Sequence, residues 1–286
     1  MNLNTSNLGA IMNKLSITLK GIIVMMLCNG YCFAERLIAV TIDDLPFVGA
    51  NSGERGLKRT TDRFNNIVNA LVENQVPATG FIIGGAIGKG QWELLESFKQ
   101  QGFSLGNHTY THISLSRVGA EKYIADLDKA DQKLTSIMTT PKYFRYPYLD
   151  EGRGENRTQV YDYLSTHQYT IAPVTIDSKD YSFNERLLRI NWRNRDARLN
   201  SIKQDYLGYI NRQIDRAEKM HHDNYPEILL IHANLINSHA MGDVIQLFKK
   251  RGYRFISLDE AISRKASYQK QVSPQIVGQS VAPITQ

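Results

Sequence analysis

A repeated change of hydrophobic period constrains this chain more than any other feature. Short apolar runs rich in β-branched and aromatic residues lie at Leu37–Ile42, Thr79–Ile83, Phe103–Asn107, Tyr143–Arg145, Tyr169–Ile176, Glu227–Ile231 and Tyr253–Ile256. Between them the period lengthens to that of a helix. After the first run, Phe64, Ile67, Val68, Leu71 and Val72 recur at i, i+3, i+4, i+7 and i+8, with Thr60, Thr61 and Asp62 available as caps. Similar helices fit Trp92–Gln101, Ala120–Met138, Gln159–His167, Asn200–His221 and His239–Arg251. Strands in strict alternation with helices are parallel and joined by right-handed crossovers. Seven such units over about 220 residues point to an α/β fold, a (β/α)7 barrel, rather than an open sheet. No linker, internal repeat or second core interrupts the pattern, so residues 35–262 read as one domain. From Ser263 the period disappears, and residues 263–286 are expected to form a flexible tail.

The composition, 42% hydrophobic and 22% charged over 286 residues, excludes disorder, collagen and coiled coil. A net charge of +6 without a basic run is too mild to track phosphates, so nucleic acid is not an expected partner. Both cysteines, Cys28 and Cys32, fall in the first 34 residues, which excludes a zinc finger or disulfide scaffold further on. That segment reads as an export leader. Lys14 and Lys20 form a positive front, Gly21–Cys28 is apolar but too short to span a bilayer, and Cys32-Phe33-Ala34 offers a small-residue cleavage site. Residues 1–34 are therefore expected to be a signal peptide cut after Ala34, with Met12 as an alternative start. An uncleaved anchor is the alternative, and Leu27 and Tyr31 are too large for a lipoprotein site. The expected protein is periplasmic or secreted, with no stable membrane insertion after cleavage, and its lack of cysteine suits an oxidising compartment.

In a βα barrel the reacting groups sit where strands end. Five strand ends carry ionisable groups: Asp43 and Asp44; His108 and His112; Arg145; Asp177 and Asp180; and His232. Each has an ordinary explanation alone, as a turn, a helix cap, a core histidine or a surface charge. Their convergence at one mouth argues otherwise, because the fold was read from apolar period and not from these residues. Two imidazoles and one acid of the Asp43-Asp44 doublet suit a catalytic divalent cation with open positions. The other carboxylate could act as a base and a histidine across the site as an acid, a set suited to metal-assisted hydrolysis.

With these residues in view, the chain from Leu37 to Ser257 resembles the polysaccharide deacetylases, carbohydrate esterase family four, in all five of that family's motifs. The resemblance implies a distorted barrel with its active site at the C-terminal strand ends. In Thr41-Ile42-Asp43-Asp44 it implies that Asp43 is the general base and Asp44 a metal ligand. In His108-Thr109-Tyr110-Thr111-His112 it implies that both histidines bind the metal, usually Zn2+, with Co2+, Ni2+ or Mn2+ as alternatives. Arg145-Tyr146-Pro147-Tyr148 is similar to the third motif, which implies that Arg145 orients the base and the Tyr148 backbone N–H helps hold the oxyanion. Asp177-Ser178-Lys179-Asp180-Tyr181 resembles the fourth, so that Asp180 would tune the catalytic histidine. Leu230-Ile231-His232 resembles the fifth, with His232 the general acid and Leu230 at the acetyl pocket. Tyr146, Leu149 and Tyr181 depart from the usual proline, glycine and tryptophan, which changes the groove and not the reacting groups.

The implied activity is hydrolysis of N-acetyl groups on an acetylated polysaccharide of the envelope, peptidoglycan or a chitin-like glycan. The alternatives are an O-acetyl esterase on xylan or another glycan, a non-heme iron oxygenase and a non-catalytic glycan-binding barrel. Arg186, Arg189, Arg193, Arg195 and Arg198 form either a solvated helix face or a contact with an anionic glycan. Loops at Pro46–Lys58 and Leu149–Asn156 should flank the mouth, whereas His167, His221, His222 and His239 read as structural or solvent-facing.

Overall fold

The computed structural model of the protein describes residues 35–47, 54–221 and 224–277. The expected leader, residues 1–34, lies outside them, as do residues 278–286. Strands β1 (Arg36–Leu45), β2 (Ala78–Ile82), β3 (Ser104–Asn107), β4 (Lys142–Phe144), β5 (Tyr169–Ile171), β6 (Ile176–Asp177), β7 (Pro226–His232) and β8 (Tyr253–Ile256) make one sheet. Every pairing is parallel, in the order β5-β4-β3-β2-β1-β7-β6, with β8 also on β1. The helices are α1 (Glu54–Glu73), α2 (Trp92–Gln100), α3 (Leu115–Val118), α4 (Ala120–Leu134), α5 (Gly154–Thr166), α6 (Asp180–Arg189), α7 (Arg195–Met220), α8 (Leu235–Lys250) and α9 (Leu258–Val277). This is the curled sheet and helical jacket of a distorted (β/α)7 barrel.

Alternation along β1 sorts the core into two. Ile38, Val40 and Ile42 pack outward with Phe64, Ile67, Val68 and Leu71 of α1 and Val244, Ile245 and Phe248 of α8. Leu37 and Ala39 point inward, where they meet Phe81, Tyr143, Ile228 and Ile256 from four other strands. Leu258 and Ala261 at the start of α9 join the same inner cluster. Successive side chains of a strand face opposite ways, so the inward series 37, 39, 41, 43 runs from Leu37 and Ala39 through buried Thr41 to Asp43. The interior is therefore apolar at its lower end and ionic at its upper end, where the strands finish.

One expected strand divides. The run Tyr169–Ile176 forms β5 and β6, which lie at opposite ends of the sheet order. Pro173 sits between them; without an N–H it cannot continue a ladder. The chain is handed from one edge to the other: Ala172 N–H bonds Phe144 O at 2.8 Å, and Thr175 N–H bonds Ile228 O at 3.0 Å.

Helix α6 has no counterpart in the apolar pattern. The glycine-rich stretch expected as a loop at Pro46–Lys58 is helical from Glu54, and the chain beyond Ser263, expected to trail, is helical as far as Val277. Among the described residues, no helix is long and apolar enough to cross a membrane.

Candidate active site

Strand register brings the candidate residues to one level. Asp43 pairs with His232 across β1 and β7, and Asn107 pairs with Phe144 across β3 and β4, so that His108 and Arg145 emerge side by side. Adjacent residues of a regular strand face apart, yet Asp43 and Asp44 both line one cleft of about 460 Å3. A bulge explains this. Three steps on β1, Ile42 to Leu45, oppose two on β2, Gly80 to Ile82, and Asp44 takes a left-handed φ of 62°.

The His108–His112 turn is held by its own polar groups. Thr109 N–H donates to Asn107 Oδ1 at 2.8 Å, and His112 N–H donates to Thr109 Oγ1 at 3.1 Å. Asp126 of α4 accepts from the Tyr110 and Thr111 amides, both at 2.9 Å. His108 Nδ1 lies 2.8 Å from Arg145 O, and a carbonyl can only accept, so Nδ1 carries the proton and Nε2 faces the cleft with a lone pair. There Nε2 of His108 is 3.5 Å and Nε2 of His112 3.3 Å from Asp44 Oδ1.

That oxygen is buried without a hydrogen-bond partner, and the three potential ligand atoms lie within 4.8 Å of one another. Burial pushes the Asp44 carboxyl up, but the neighbouring imidazoles of His108, His232 and His112 outweigh it and hold the pKa down to about 2. Burial, with His108 alongside, lowers the pKa of His112. An orphaned carboxylate oxygen facing two imidazole nitrogens is a donor set that a divalent cation satisfies.

Behind this set, Arg145 is buried and fully engaged. Its Nε donates to Ala172 O at 2.8 Å, and its Nη2 donates to Thr41 Oγ1 at 3.1 Å and Pro173 O at 3.4 Å. Nη1 lies 3.3 Å from both Asp43 oxygens. Asp43, 3% exposed, is thus ion-paired from below and open to the cleft above.

On the opposite side, His232 Nδ1 is 2.7 Å from Asp180 Oδ1, which leaves Nε2 for the cleft. Asp180 is fully buried at the first turn of α6. Its Oδ2 accepts from His232 N at 2.7 Å, Asn234 Nδ2 at 2.9 Å and Asn237 Nδ2 at 2.5 Å. Burial pulls the His232 imidazole down. The charge of Asp180 and its hydrogen bond, with Asp44 and Asp43 beyond, raise it to about 10.

Leu230 lines the cleft floor at 5% exposure. Tyr148 stands at its rim, its ring edge-on to His112 with centroids 4.5 Å apart. Tyr148 and Leu149 are both left-handed, with φ of 58° and 55°. The loop that follows is tied down by Asp150, which accepts from Ser114 Oγ at 2.5 Å and Ser116 N at 2.8 Å.

All nine expected site residues therefore meet at this one cleft or directly beneath it. The sequence reading missed Asn234 and Asn237, although Asn-x-x-Asn at a helix start is a capping pattern and Asn234 does accept from Asn237 N. It also missed Asp126, which has no local signal, and Lys179 and Asn184 on the cleft wall. Of the arginine group, Arg186 pairs with Asp205 at 2.6 Å and Arg189 with Glu185 at 3.2 Å, as on a solvated face.

Comparison with known proteins agrees with the geometry. A family model described as polysaccharide deacetylase matches residues 30–172. The match ends before Asp180 and His232. A peptidoglycan-N-acetylglucosamine deacetylase of Bacillus cereus is 23% identical over 199 residues, covering 67% of this chain and 60% of that protein. The chain spans 36%, 46% and 60% of the lengths of three curated relatives it matches. The chitin deacetylase of the fungal pathogen Colletotrichum lindemuthianum superposes with a TM-score of 0.56 at 21% identity, over 80% of this chain and 88% of that one. A family-four pseudoenzyme of Bacillus anthracis gives a TM-score of 0.56 at 16% identity, over 79% of this chain and 65% of that one. At these identities the superpositions speak for the fold.

Proposed function

This chain belongs to the polysaccharide deacetylase family, and from that premise we propose that it is a metal-dependent hydrolase that removes N-acetyl groups from an envelope polysaccharide, peptidoglycan or a chitin-like glycan. The observation that carries the reading is the convergence of Asp44, His108 and His112 on one point, with Asp43 and His232 facing the same cleft. These three residues would hold Zn2+, or Co2+, Ni2+ or Mn2+. Such an ion, when bound, polarises a carbonyl and acidifies water.

The chain's own residues supply the rest. Asp43 takes the proton of the attacking water, and Arg145 fixes that carboxylate in place through Nη1. The acetyl methyl packs on Leu230, and the backbone N–H of Tyr148 donates to the carbonyl oxygen as charge develops there. His232, protonated and oriented by Asp180, gives its proton from Nε2 to the departing amine nitrogen. A base and an acid, each with a dedicated positioning partner, fit hydrolysis. They have no evident task in an iron oxygenase or in a glycan-binding barrel without turnover.

Acetate release on N-acetylglucosamine oligomers and on acetylated xylan, with metal content measured alongside, tests the reading. The expected result is release from the amide substrate, abolished by a chelator and restored by the metal. Release from xylan alone would make the protein an O-acetyl esterase; release from neither, nor from peptidoglycan, would remove the hydrolase.

A further inference from the structure

A second hollow, of about 250 Å3, is lined by Arg59, Arg63, Arg195, Trp192, Leu187 and Leu235 among others. No residue lines both this hollow and the cleft, but α6 and the chain entering α8 contribute to each. Asn184 lines the cleft and Leu187, one helical turn along α6, lines the hollow; Asn234 lines the cleft and Leu235, the first residue of α8, lines the hollow. One turn of helix is about 5 Å, so a group in the hollow is within reach of a polymer seated in the cleft.

The positive charge in this hollow is only partly compensated. Among the described residues, Arg59 and Arg63 make no ion pair or hydrogen bond, in contrast to Arg186 and Arg189 nearby. Arg195 is fixed in place by donating Nε to Ile190 O at 3.0 Å and Nη2 to Leu188 O at 2.9 Å. Asp196 is the one carboxylate in the lining, against three guanidinium groups and His239. Burial lowers the pKa of Arg63, and the like charges of Arg59 and Arg195 lower it further. Crowding three guanidinium groups against one carboxylate costs free energy that a bound oxyanion would recover, and guanidinium forks match carboxylate and phosphate oxygens. Beside them Trp192 stands 67% exposed with the Arg193 guanidinium 4.9 Å from its ring. An indole this open is a ready platform for the apolar face of a sugar.

Resting on the deacetylase reading above, we infer that this hollow is a subsite for an oxyanion, a carboxylate or a phosphate, carried by a sugar next to the one that reacts in the cleft. The glycan is then an acidic one, gripped by Arg59, Arg63 and Arg195 and selected over neutral chains.

The test compares kcat/KM on a neutral N-acetylglucosamine oligomer with that on equal-length oligomers bearing either a lactyl carboxylate or a phosphate. The wild type should favour an acidic oligomer. Arg63→Gln and Arg59→Gln should each lower that preference about tenfold, chiefly through KM, the scale of one charge-assisted hydrogen bond. The loss should shrink as salt rises, and Arg63→Lys should recover part of it. The anion whose preference falls identifies the source. Equal losses on neutral and acidic oligomers in both variants would overturn the subsite. Should the wild type release acetate from none of them, the deacetylase reading fails by itself, and Trp192 fluorescence decides the subsite. Tenfold weaker binding of an acidic oligomer by Arg63→Gln would uphold it, and unchanged binding would overturn it.

Discussion

Two neighbouring carboxylates with different surroundings make the sharpest pair of residues here. Asp44 faces two imidazole nitrogens with an orphaned oxygen, whereas Asp43 is clasped by Arg145. Asp44→Asn should therefore deplete bound metal. Asp43→Asn should retain it and lose on the order of a hundredfold or more in acetate release; metal content and rate on both variants check this, and the reverse pattern would exchange their roles. His232 carries a pH signature. Its pKa is raised from 6.5 to about 10, so the stabilisation from the Asp180 pair is complete below about pH 6.5 and fades as pH climbs through the folded value. In metal-free protein, NMR titration should find the ring still protonated at neutral pH. Asp180→Asn should lower its midpoint, since only the more distant Asp44 and Asp43 then oppose burial; an unmoved midpoint would mean that Asp180 is not the cause. His232→Ala should keep the metal and lose turnover. The positions of these residues were legible in the sequence because each group lies at or just past the end of an apolar run. Asp126 was not, since its partners Tyr110 and Thr111 lie far from it in the chain and contact arises only from folding.

Among the elements, those missed lacked a hydrophobic period that matched them. Helix α6 buries Asp180, Asn184 and Leu187 at i, i+4 and i+7. The spacing is helical, but two of the three are polar, so no hydrophobic period announces them. The division of Tyr169–Ile176 was signalled by Pro173 and outvoted by the apolar residues around it. By contrast, α1 was plain because its buried face is Phe64, Ile67, Val68 and Leu71. Strand β3 offers a test of how closely the sheet sets the site. A Cβ on Gly106 would lie 2.6 Å from Tyr143 O and 3.0 Å from the Phe81 ring, so the strands must part to admit it. Gly106→Ala should destabilise the protein by about 1–3 kcal/mol in denaturant unfolding. It should also weaken metal binding, because His108 lies two residues on. Normal stability and normal metal affinity would show that β3 and β4 yield more easily than their packing suggests.

For the molecule as a whole, the proposal that residues 1–34 are an export leader carries its own prediction: exported protein should begin at or near Glu35 and lack cysteine. N-terminal sequencing checks it, and retained Cys28 would refute it. The barrel itself holds a less obvious consequence. Its two edge strands, β5 and β6, share no ladder, and the gap between them is bridged by the short segment through Pro173. The carbonyls of Ala172 and Pro173 are both held by Arg145, the residue that also grips Asp43. One guanidinium is thus the hasp of the barrel and the mount of its base. Arg145→Lys, with the charge kept but the fork lost, should speed amide hydrogen exchange at Ala172 and Thr175 and depress turnover together. Rapid exchange with full activity would separate the two duties. If they move as one, every opening of the barrel's seam also switches off the proposed chemistry, and no turnover can occur while it is ajar.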